Sequence, residues 1–142
     1  MYVCCTGDGI DANSRTAYSG IVFSGGQTVV ISNSGMNSAI DTEQGYRVTG
    51  GSVVAVMPSR GMSGEATHCE DFSSVGTKAT ISLNAGSWLT VTEGGKQLAA
   101  VKMPVALSAM VVYLGSNSAK VATADAVSGT PDSNGVCWSG EG

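Results

Sequence analysis

Three stretches of the chain alternate apolar and polar residues around a small glycine-centred bend, and they align with one another. Residues 21–31, 46–56 and 81–91 each hold a run of β-type residues, a bend and a second such run. Successive strand residues point to opposite faces, so the alignment sorts into columns. Before the bend, Ile21/Tyr46/Ile81 and Phe23/Val48/Leu83 are apolar in every copy, whereas Val22/Arg47/Ser82 and Ser24/Thr49/Asn84 are mixed or polar. After it, Val29/Val54/Leu89 and Ile31/Val56/Val91 are apolar throughout, while Thr28/Val53/Trp88 and Val30/Ala55/Thr90 vary. The uniform columns are the expected core and the variable ones the outward face. Gly26, Gly51 and Gly86 sit at the bend, where positive φ or close backbone approach leaves no room for a Cβ.

A repeat of this kind predicts a solenoid, because each unit buries its apolar face against the next. The copies start 25 and then 35 residues apart, so the second interval carries an insertion at 57–78. Coils are expected over 1–92. A Gly94-Gly95 hairpin flanked by β-rich arms then changes the chain from coiling to antiparallel pairing. With strands near 110–114 and 120–123 it forms a cap over 93–127 that covers the last coil's open edge. Residues 128–142 read as a flexible tail, with only Cys137 and Trp138 able to anchor it. The best helical window, 104–110, is short enough to be a turn.

Composition agrees with an all-β chain of about one domain: 142 residues, 20 of them Gly, and only 13% charged. The net charge is −4 and no basic stripe appears, so nucleic acid is excluded as an expected partner. No apolar run approaches the roughly 20 residues of a membrane span. The first residues lack the basic and apolar regions of a signal peptide, which leaves a cytosolic chain or an excised piece of a secreted one. Cys4, Cys5, Cys69 and Cys137 are too scattered for a zinc finger and sufficient for two disulfides of undetermined pairing, with free thiols as the alternative.

Several motifs together carry a resemblance. Gly7-Asp-Gly-Ile-Asp-Ala-Asn13, the Gly-Gly pairs with β-branched flanks, Ser38-Ala-Ile-Asp41, Thr49-Gly-Gly-Ser-Val-Val-Ala-Val56 and Gly61-Met62 follow one another in an order and spacing that resembles the C-terminal half of the bacterial secreted carbohydrate-binding domain-containing family. The likeness runs from about residue 7 to about residue 127. It implies a right-handed parallel β-helix with a C-terminal antiparallel β cap, an extracellular or cell-surface location, and a polysaccharide or glycan as partner. In that family further coils lie upstream, so the N-terminal edge strand is expected to be open to self-association. The cysteines and the residues after Val127 depart from the family pattern.

Individual sites follow from residue chemistry. Gly7–Ala12 fits G-x-G-x-x-A, but no helix follows to hold a pyrophosphate. Asp8, Asp11 and Asn13 offer oxygen ligands for calcium; no other cofactor is called for. Because Asp11 recurs as Asp41, the first reading of these residues is carboxylates capping backbone N–H groups. His68-Cys-Glu-Asp71 reads as a polar loop, since neighbouring ligands cannot easily face one ion and there is no second His. Arg60-Gly-Met-Ser-Gly64 lacks a nucleophile elbow; the acidic residues Glu43, Glu65, Glu70, Asp71 and Glu93 are numerous enough for a glycosidase pair, but most fall in loops whose mutual distance the sequence does not fix, and acidic loop residues are usually solvated. Sugar recognition needs a flat apolar surface ringed by polar groups. Trp88 on the outward column and Tyr18 in the long turn before Gly20 are the candidate ligand contacts, with a capping role as the alternative for Trp88. The expected function is a non-catalytic carbohydrate-binding or surface-display module. A structural or adhesive segment is the second reading, and a polysaccharide-cleaving enzyme the last.

Overall fold

The computed structural model describes residues 1–12, 21–33, 38–42, 45–60, 66–67 and 69–138. The first two aligned stretches become β3 (Ile21–Ser32) and β5 (Tyr46–Pro58), which lie side by side in parallel. Ile21 faces Tyr46, Phe23 faces Val48, Val29 faces Val54 and Ile31 faces Val56, the register of the sequence alignment. β1 (Tyr2–Cys5) adds in parallel to the other side of β3, with Cys4 opposite Ile31. The short strands β2 (Ile10–Ala12) and β4 (Ile40–Thr42) repeat the relation, Asp11 opposite Asp41.

The third stretch breaks the series. Its halves, β6 (Gly76–Leu83) and β7 (Trp88–Glu93), enter different sheets. β6 runs antiparallel to β9 (Leu107–Leu114), and β9 antiparallel to β5, giving a mixed five-stranded sheet in the order β1-β3-β5-β9-β6. β7 joins β8 (Lys96–Lys102), β10 (Lys120–Ala124) and β11 (Val136–Trp138) in an antiparallel sheet ordered β10-β7-β8-β11. The protein is thus an all-β assembly of three sheets and not the right-handed parallel β-helix expected from the repeat.

One side chain explains where stacking stops. At the bend, the copies read Gly25-Gly26, Gly50-Gly51 and Ala85-Gly86. A Cβ at Gly50 would stand 2.7 Å from the Ser24 carbonyl oxygen of the strand beside it. Ala85 carries that Cβ, so a third strand stacked in the same register would drive it into a backbone carbonyl. Residues 84–87 form a turn instead, with Gly86 at φ 83° and Ser87 N–H donating to the Asn84 carbonyl.

The five-stranded sheet is covered on both sides, as strands with near-continuous apolar runs require. On one face Val29, Ile31, Val54, Val56, Val111 and Tyr113 meet Leu89, Val91, Val101 and Val136 of the four-stranded sheet. On the other, Phe23, Val30, Tyr46, Val53 and Ala55 pack with Ile40 of the two-stranded sheet and with Ala66 and Cys69. The columns expected to face outward are therefore corrected: Val30, Val53 and Ala55 are fully buried, because the β2–β4 pair, Ala66, Cys69 and Phe72 of α1 (Phe72–Val75) lie over them. In β3 and β5 the uniform columns before the bend and those after it fall on opposite faces, since the strand pairing shifts register between Phe23 and Gln27. Phe23 and Tyr46 nonetheless are interior, in edge-to-face contact at 5.9 Å.

The C-terminal third positions the site. Gly94 and Gly95, at φ 58° and 82°, turn β7 into β8 with the paired positive φ of a two-residue hairpin. β10 packs beside β7, and also lies close to β6. Beyond residue 128 the chain returns to the sheet: Gln97 exchanges two hydrogen bonds with the Ser128 backbone, its Nε2 donating to the carbonyl at 2.9 Å and its Oε1 accepting from the N–H at 3.1 Å. β11 then pairs with β8, Val136 opposite Val101 and Cys137 opposite Ala100. Val136 faces the main core, so Cys137 points the other way. It is buried there because Gly129 lies over it.

Candidate cleft around Trp88

Trp88 opens β7, opposite Lys102 on one side and Ala124 on the other. The turn before it is clamped to the end of β8: Gly86 N–H donates to the Met103 carbonyl at 2.8 Å and Met103 N–H to that of Ser87 at 2.9 Å. Leu89 and Val91 face the main core, so alternation sends Trp88 to the outer surface of its sheet, where it is half-buried.

The segment 131–135 builds the opposite wall. Asp132 Oδ1 accepts the N–H groups of Asn134 at 2.8 Å and Val136 at 3.0 Å, and Gly135 N–H returns to the Asp132 carbonyl at 3.0 Å. Gly135 has φ 78°, and a Cβ on it would lie 3.1 Å from Lys102 Cβ. Its carbonyl accepts the Lys102 N–H at 2.8 Å. The turn is therefore locked over the stem of Lys102. Between it and β7 lies a cleft of about 470 Å³ lined by Trp88, Lys102, Pro104, Pro131, Asp132 and Asn134, among others. An indole and two prolines give it an apolar surface; an ammonium, a carboxylate and an amide give it hydrogen-bonding groups.

Asp8 and Asp11 come together, and Asp41 joins them, the three carboxylates lying within 4.8 Å of one another. Asp8 Oδ1 accepts the Ser38 N–H at 2.8 Å. It ties the first residues to the chain entering β4, where Gly9 and Ile10 N–H donate to the Ser38 and Ala39 carbonyls. Asn13, Tyr18, Glu43, Glu65 and His68 lie outside the described residues. The four cysteines are free thiols. Cys4 is exposed on β1 while Cys5 turns toward the Gly7 carbonyl, Sγ at 3.2 Å. Burial pushes the Cys69 and Cys137 thiols above their ordinary range, reinforced by Asp71 and Glu70 at the first and Asp132 at the second. Neither is poised as a thiolate nucleophile.

Sequence reading found Trp88 but missed Lys102, Pro104, Asp132 and Asn134. The signal for the last two was present: Pro131-Asp-Ser-Asn-Gly135 has turn chemistry and precedes the β-type Val136-Cys-Trp138, too short a run to register as a strand.

No protein-family model, no curated protein and no solved structure matches the chain. No helix among the described residues is long and apolar enough to cross a membrane.

Proposed function

We propose that the chain is a non-catalytic carbohydrate-binding module of extracellular or cell-surface location and that the Trp88 cleft takes the sugar. The observation that carries this reading is the half-buried indole held beside Pro104 and Pro131, with Lys102, Asp132 and Asn134 around it. An indole face takes the C–H side of a sugar ring, and the polar groups fix its hydroxyls. Hydrolysis of a glycoside calls for two carboxylates across a cleft. Asp132 is the carboxylate of this lining, and one of its oxygens is engaged in holding the turn.

A glycan array followed by calorimetric titration of its best hits tests the reading. Binding that is lost in Trp88→Ala supports it. Release of new reducing ends from a polysaccharide would replace it with an enzyme.

A further inference from the structure

The two larger sheets are joined along one side, where β6 turns into β7 and β10 lies close to β6. On the other side their edge strands are β1 and β11, and there a crevice opens between the sheets. Tyr2 lies opposite Val29 and packs against the main core with it. Gln27, two residues before Val29 on β3, projects to the same face. From the four-stranded sheet, Val136 and Trp138 of β11 project to its core side. Tyr2 and Trp138, both half-buried, thus enter the gap from facing sheets, and among the described residues no ring-to-ring contact joins them. Two hollows of about 360 and 170 Å³ occupy the gap. Both are lined by Gln27, Asp132 and Trp138, among others; the larger adds Thr130, the smaller Tyr2 and Asn134. Burial, then Cys4 and Asp132, raises the Tyr2 hydroxyl above its ordinary pKa, so the phenol stays protonated beside a carboxylate.

We propose that this crevice is a second sugar site, taking one neutral hexose ring between Tyr2 and Trp138, with Gln27, Asp132 and Asn134 holding its hydroxyls. Aromatic faces take the C–H side of the ring, and amide and carboxylate groups fix the rest. Asp132 is the charged side chain of this lining, so an acidic sugar is disfavoured. The inference takes its ligand class from the carbohydrate reading above and adds a site of its own. Trp88 stands on the outer face of the four-stranded sheet and Trp138 on its core face, so the sheet separates the two sites and each holds a separate ring. Trp138 gives part of its surface to the core, which makes the crevice the weaker of the two. Two sites on one module hold a polysaccharide more tightly than either does alone.

The chain has two tryptophans, so Trp88→Ala leaves Trp138 as its one indole and makes its emission a reporter of the crevice. Cellobiose, mannobiose and lactose are titrated by calorimetry and fluorescence into the parent chain, into Trp88→Ala and into the double variant that adds Gln27→Ala, up to at least about tenfold above the concentration that fills the Trp88 cleft. Gln27 is not part of either core, so its replacement keeps the melting temperature of Trp88→Ala. One of these sugars is expected to give two binding events in the parent. Trp88→Ala loses the tighter event and keeps the weaker, which shifts the Trp138 emission, and Gln27→Ala lowers that remaining affinity at least about fivefold. A single event that vanishes in Trp88→Ala would overturn the second site and leave the Trp88 cleft standing, as would a residual event that Gln27→Ala leaves untouched. A single event that survives Trp88→Ala and weakens with Gln27→Ala would keep the crevice and overturn the Trp88 cleft. Binding of none of the three sugars would overturn both.

Discussion

Gly50 lies directly opposite Ser24, with no room between them for a methyl group: a Cβ on Gly50 would stand 2.7 Å from the Ser24 carbonyl oxygen. The equivalent residue one strand earlier, Gly25, has nothing within 4 Å of such a Cβ. The same substitution should therefore have opposite effects at aligned positions. Gly50→Ala is expected to cost about 1–3 kcal/mol, as overpacking against an immovable backbone does. Gly25→Ala should be neutral or stabilising by about 0.5 kcal/mol, through reduced entropy of the unfolded chain. Urea denaturation of the two variants gives both numbers. Equal costs would remove the explanation for why stacking ends before Ala85.

The uniform columns make a sharper demand on charge. Val54 is completely buried and Thr49, five residues earlier in β5, is exposed. Val54→Asp places an unpaired carboxylate in the main core, a penalty of several kcal/mol against a typical total stability of about 5–15 kcal/mol. It should leave the chain unfolded by circular dichroism, while Thr49→Asp melts like the parent.

The β3–β5 pairing shows both how much the residues disclose and where they fall short. Its register is legible because apolar identity repeats column by column, and Gly26, Gly51 and Gly86 do adopt positive φ, at 73°, 79° and 83°. What misleads is the assumption that aligned copies must stack. Ala85 forbids it, and a single Cβ is invisible to a hydrophobic pattern. Burial of Val30, Val53 and Ala55 was illegible for a related reason: which face is covered depends on β2, β4, Ala66 and Cys69, partners distant in sequence. The Trp88 cleft was half legible. The aromatic stands out in its column, but its far wall comes from a turn more than forty residues later, whose docking rests on Gln97, Gly129 and Gly135.

Tyr46 gives stability an alkaline limit. Its hydroxyl donates to the Ala66 carbonyl inside the second core, and burial, with Cys69 next, raises its pKa well above the ordinary value of 10.0. The folded state thus holds this proton more tightly than the unfolded chain. The contribution is complete below pH 10 and is lost as pH rises from there toward the folded pKa. Tyr46→Phe should cost about 1–2 kcal/mol at pH 7, from the lost hydrogen bond and the carbonyl left unpaired, and its stability should fall less steeply above pH 10. Chemical denaturation across pH 8–11 compares the slopes.

The cysteines are ranked by access. Cys4 is exposed, Cys5 half-buried, and Cys69 and Cys137 buried; burial raises the pKa of Cys4 as well as of Cys69 and Cys137, so access sets the ranking. Iodoacetamide at pH 8 followed by peptide mass mapping should modify Cys4 first, with Cys69 and Cys137 at least about a hundredfold slower because they require opening of the structure. Early modification of Cys137 would mean that residues 128–135 do not cover β11 in solution.

The most direct measurement for the account as a whole is Trp88→Ala, followed by melting temperature and by titration with the best glycan from an array. A half-buried indole on the outer surface contributes modestly to folding, so stability should fall by about 1 kcal/mol, a shift of about 2–4 °C, while affinity falls at least about tenfold. No glycan bound by the parent chain, together with a loss of about 3–5 kcal/mol in the variant, would contradict the account and make Trp88 a structural residue under the Asp132 turn.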